Sequence, residues 1–168
     1  MNKDRPDDLT QNNTFCDIYK AFLAINLPWQ AKYKSFDTIL WASGLIDHMV
    51  VIGISRDALS LIKENGFKKS NPTVVRGHRH ARIDRGQLLF GERRWPFEKA
   101  FELYREYDQV VLITRAENGV KVDPDTGWSE VYSFPKEESL FPWRTAGFSA
   151  TYSNKALDYL KKLAKQKL

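Results

Sequence analysis

The stretch VVRGHRHARIDRGQLLFG, residues 74–91, holds four arginines and two of the chain's three histidines. Arginine forks match phosphate oxygens, and histidine exchanges a proton near neutral pH. Three chemistries follow from that pairing. As a metal site, His78 and His80 form an H-x-H pair, with a third ligand to come from His48, Glu117 or an aspartate. The flanking arginines repel a dication, so no metal and no cofactor is expected. As a metal-independent ribonuclease or phosphodiesterase, His78 or His80 would act as acid or base. Arg76 or Arg82 would stabilise the charged, phosphorane-like transition state, with Glu117 as a partner. As a non-catalytic surface, Lys68, Lys69, Arg76, Arg79, Arg82, Arg85, Arg93 and Arg94 would contact phosphates, and the histidines would assist.

Charge placement favours the third. Net charge is +5, and between Lys63 and Arg94 nine cations face only three acids, Glu64, Asp84 and Glu92. A concentration of this kind attracts polyanions. The last helix adds Lys155, Lys161, Lys162, Lys165 and Lys167 against Asp158.

Other chemistry finds less support. The glycines of VVIGIS match neither a dinucleotide fingerprint nor a Walker loop. NGVKV carries a lysine without the acid two residues earlier that a restriction-type nuclease needs. His48 reads as a structural histidine and Cys16 as an inert thiol. Glu98, Glu102 and Glu106 recur along the solvent side of one helix. Trp95 and Trp143, beside Arg93-Arg94 and Arg144, are core or staple residues first and stacking platforms second. The arginine–histidine run matches no named motif.

Positioning these groups requires elements that the hydrophobic pattern outlines. Residues 1–13 are polar and read as a disordered tail, and 14–168 as one domain. Helices are expected near 14–27, 56–65, 97–107 and 153–166, with Ser55 capping the second and Gly66 closing it. SFDTILWASGLIDH fits either a helix broken near Gly44 or an extended segment. Strands are expected near 48–54 and 73–83, and a β-meander over 109–134, with Asn118-Gly119 as a hairpin turn. In the 73–83 strand, Arg76, His78, His80 and Arg82 would share one cationic face. A helix over TVVRGHRHAR, as in a helix-turn-helix, is opposed by its paired valines and glycine. The class is α+β, a small mixed or antiparallel sheet flanked by helices.

A chain of 168 residues with 42% hydrophobic content can bury a core without disulfides, and a single cysteine fits a reducing, cytoplasmic setting. The N-terminal stretch has no apolar signal region, and no run is long enough to span a bilayer, so no membrane is expected. The leading expectation is a nucleic-acid or polyanion binding protein using residues 68–94. The ribonuclease reading is the enzymatic alternative. A protein-interaction module, or a homo-oligomer paired through the sheet edge, is the third.

Overall fold

In the computed structural model, which describes residues 8–43, 51–119, 128–135 and 149–168, the helices are α1 (Asp8–Ala24), α2 (Trp29–Ser43), α3 (Arg56–Glu64), α4 (Arg82–Phe90), α5 (Phe97–Tyr107), α6 (Arg115–Gly119) and α7 (Asn154–Lys167). The strands are β1 (Val51–Ser55), β2 (Ser70–His78), β3 (Val110–Thr114), β4 (Val131–Ser133) and β5 (Ser149–Thr151). The chain divides into two compact units, Met1–His48 with His80–Asp108, and Met49–Arg79 with Gln109–Leu168.

The first unit is helical and contains α1, α2, α4 and α5. On α1, Phe15, Tyr19 and Phe22 recur at helix spacing and are buried with Phe36 and Leu40 of α2, Leu89 and Phe90 of α4, and Phe101 and Tyr104 of α5. Phe36 meets Phe15, Phe22 and Phe90 edge-on, at ring separations of 5.5, 5.5 and 5.0 Å. This geometry suits the ring quadrupoles, and each buried ring removes a large apolar surface from water. The Tyr19 hydroxyl, carried inside, donates to the Leu89 carbonyl at 3.0 Å. A thick aromatic core therefore accounts for much of the chain's aromatic content.

The second unit holds a five-stranded mixed sheet in the order β4-β1-β3-β2-β5. β1 and β3 run parallel, and every other neighbouring pair is antiparallel. Val74, Ile54, Leu112 and Tyr132 pack beneath α3 and α7, which contribute Ala58, Leu59 and Ile62, and Ala156, Leu157, Leu160, Leu163 and Ala164. Val75, Val111 and Ile113 form a smaller cluster with Ile52 and Trp128. Gly77 suits this packing, because a Cβ would press on the Ile113 side chain, 3.0 Å from its Cγ1, and lie 3.1 Å from the Trp128 ring. Ser55 and Ser153 cap α3 and α7, accepting from the Ala58 and Ala156 amides. After α3, Gly66 adopts φ +67°, as a helix-terminating glycine does.

The α+β class, β1, and the helices α3, α5 and α7 agree with the sequence reading. The ambiguous segment from Ser35 is helical within α2 as far as Ser43, the last residue described there. Three details differ. Residues 8–13 are helical, so α1 starts within the segment read as a tail. The strand expected over 73–83 ends at His78, and α4 begins at Arg82. The described residues of 109–134 depart from a meander: α6 follows β3 directly, and β4 pairs with β1 rather than β3. The 123–127 turn, His48, Trp143 and Arg144 lie outside the described residues. No described helix is long and apolar enough to cross a membrane.

Candidate functional site

The basic segment is distributed over both units. In the second, Lys68 and Lys69 stand exposed in the connection from α3 to β2, and Arg79 is exposed beyond the end of β2. The Arg79 amide continues the pairing with the β3 side of the sheet by donating to the Gln109 carbonyl at 3.0 Å. Strand alternation puts Arg76 and His78 on the face of Val74, beneath the helices, instead of on an open cationic face. Arg76 is half-buried, and its burial pushes the guanidinium pKa down against the opposing influence of Tyr152.

In the first unit, Arg82, Arg93 and Arg94 are exposed. The Arg93 guanidinium lies 3.7 Å from the centre of the Trp95 ring, a cation–π stack. The His80 ring stacks on Tyr107 at 4.5 Å, with an interplanar angle of 29°.

Arg85 differs from its neighbours. It is 1% exposed, pairs with Asp37 at 2.5 Å and with Asp108, and lies over the Tyr104 ring. Burial opposes its charge, but Tyr104, Asp108 and Asp37 more than offset that and raise its pKa. Arg85 ties α4 to α2 and to the end of α5, so the expectation that it contacts phosphate is corrected. Its terminal nitrogens are turned to two carboxylates, and the side chain is out of reach from solvent.

Glu117 is also internal. Its carboxylate accepts from the Ser55 hydroxyl at 2.8 Å, the Thr114 amide at 2.7 Å, and the Ser129 hydroxyl and amide at 2.9 and 3.2 Å. Burial alone would raise its pKa, but these donors hold it below the ordinary carboxylate value. The Glu117 amide donates in return to Thr114 Oγ1 at 3.2 Å, which completes a capping box over TRAE. That signature was readable in the sequence and explains why Asn118-Gly119 ends a helical turn instead of turning a hairpin. The first amides of α3 are occupied as well: Arg56 donates to the Glu130 carbonyl, Asp57 to the Ser129 hydroxyl and Ala58 to Ser55. This end of the sheet is closed by its own hydrogen bonds.

Within the second unit, two of the residues named for hydrolysis lie apart. His78 pairs with Val110 at the start of β3, whereas Glu117 lies beyond Thr114 at its other end. His80 and Arg82 belong to the first unit. Among the described residues no group of three or more His, Cys, Asp or Glu is placed to hold a metal ion. The Cys16 thiol donates to Asn12 Oδ1 at 3.5 Å within α1, and burial pushes its pKa up, away from a reactive thiolate.

The described residues of the first unit also form an open groove. It measures about 720 Å³ and is lined by Trp29, Asp84, Glu92, Arg93, Trp95 and Tyr107, among others. Trp95 is fixed there, since its Nε1 donates to the Leu88 carbonyl at 2.8 Å while Arg93 covers the ring. Nothing in the sequence singles out Trp29, because its proximity to Arg93 arises only through folding.

Comparison with protein-family models, with curated proteins and with solved structures returned no match in any of the three.

Proposed function

We propose that the chain binds nucleic acid through the exposed cations of the 68–94 segment. The observation that carries this reading is their exposure: Lys68, Lys69 and Arg79 on the second unit, and Arg82, Arg93 and Arg94 on the first, all reach solvent. Arg85 leaves the set because its charge is neutralised internally, and the half-buried Arg76 contributes to the local field rather than to contacts. A single, non-reactive cysteine fits the reducing, cytoplasmic setting in which such binding would occur.

The test is affinity for labelled single-stranded RNA and duplex DNA at two salt concentrations, with the nucleic acid checked for cleavage. Each phosphate neutralised releases counterions, so six contacts give a logarithmic salt slope of roughly −4 to −5. Removing one exposed cation, as in Arg94→Ala, should shrink that slope by about one contact's share. Binding that ignores salt, or no binding, overturns the reading. Cleavage lost in His78→Ala or His80→Ala would instead restore a hydrolytic role.

A further inference from the structure

We propose that the groove of the first unit receives unpaired bases of a single-stranded nucleic acid, an inference that rests on the binding function above and selects the strand form. Trp29, Trp95 and Tyr107 offer aromatic surface, and any nucleobase presents a π face to such a surface. Two of these rings are already held. Trp95 is fixed by its bond to the Leu88 carbonyl and by Arg93 at 3.7 Å, and Tyr107 by the stacked His80. Little side-chain freedom is lost when such rings accept a ligand. The volume, about 720 Å³, lies within the range of small-ligand sites and exceeds what a single base requires.

Charge divides the region further. Asp84 and Glu92 line the groove and are exposed, so they repel phosphates from it. The same carboxylates accept hydrogen bonds from the amino groups of cytosine, adenine and guanine. Arg82, Arg93 and Arg94 are exposed on the same unit and can hold the backbone while bases turn inward. In a duplex the ring faces are stacked on one another and each amino group keeps only its groove-facing hydrogen, so the aromatic surface is offered nothing and the carboxylates are offered less.

The experiment compares a labelled cytosine- and adenine-containing 12-mer with the same strand annealed to its complement, at one salt concentration. A uridine 12-mer serves as the third probe. The wild-type protein should bind the mixed single strand roughly tenfold more tightly than the duplex, and more tightly than the uridine strand. Trp29→Ala should lose roughly tenfold in single-strand affinity without changing the salt slope, because indole carries no charge. Asp84→Ala with Glu92→Ala, both at exposed positions, removes the acceptors and should erase the preference over uridine even if the tryptophan variant fails to fold. Equal affinity for single strand and duplex, with both variants unchanged, sinks the groove while leaving salt-dependent binding intact. Absence of binding to every probe sinks both proposals.

Discussion

The Ser55 hydroxyl donates to Glu117 at 2.8 Å, joining the end of β1 to the turn that follows β3. The same oxygen accepts from the Ala58 amide, so one side chain starts α3 and fastens it to the neighbouring strand. With Ser129 and Thr114 completing the carboxylate's partners, the edge shared by the two parallel strands is a closed polar knot.

Glu117→Ala should cost on the order of 3 kcal/mol, because it removes the acceptor shared by the Ser55, Thr114 and Ser129 donors. Urea denaturation measures the loss. The pH dependence has a definite sign. The folded-state pKa lies below the ordinary value of 4.5, so the contribution of Glu117 is complete above that value. It is lost as pH falls through the folded-state pKa. Glu117→Gln should flatten this acid limb of the stability profile; an unchanged limb would mean that other carboxylates set it.

The two helix caps provide an internal comparison. Ser153→Ala removes one acceptor at the start of α7 and should cost about 1 kcal/mol. Ser55→Ala removes a cap and a donor to a buried carboxylate, so its cost should be roughly twice as large. Equal losses in denaturant midpoint would show that the Ser55–Glu117 bond adds nothing.

Gly86→Ala reverses the usual expectation for a helix. Alanine normally gains about 1 kcal/mol over glycine there. In α4 a Cβ at this position would press on the Tyr33 side chain, within 2.8 Å of its Cβ. Overpacking of this kind costs about 1 to 3 kcal/mol, so a net lowering of the melting temperature is expected. A rise would show that α2 and α4 have room to separate.

Arg85→Met leaves Asp37 and Asp108 without their counter-charge. Breaking a buried ion pair from one side costs about 3 to 5 kcal/mol. Adding Asp37→Asn and Asp108→Asn should recover part of that loss, since the stranded charges are then gone. Denaturation of the single and triple variants reads the difference. At matched folded concentration the triple variant should bind nucleic acid with the wild-type salt slope, whereas Arg93→Ala should not.

Much of the architecture was legible because local signals agreed with the packing. α3 has a serine at its start, apolar residues at helix spacing and a glycine past its end, and α5 and α7 are amphipathic. α4 was hidden for a physical reason. Its buried positions are Arg85, Gly86, Leu89 and Phe90, which have helix spacing, but the first two are residue types that read as surface and turn. The arginine is buried only because Asp37 and Asp108, distant in sequence, converge on it. For the same reason the site was only partly legible: exposed cations could be listed by composition, but not which of them the fold consumes. The TRAE capping box was legible and outweighs the Asn-Gly turn that follows it.

The strand order β4-β1-β3-β2-β5 has a consequence for synthesis. β1 and β2 leave the ribosome first, yet neither neighbours the other, because β3 lies between them. Between their emergence and that of β3 the chain must produce the whole His80–Asp108 segment of the other unit. During that interval two strands rich in valine and isoleucine have no native partner for their backbone edges. Such an interval favours slow folding and misassociation at high expression. A growing chain of this protein is therefore most in need of a chaperone just before residue 110 emerges.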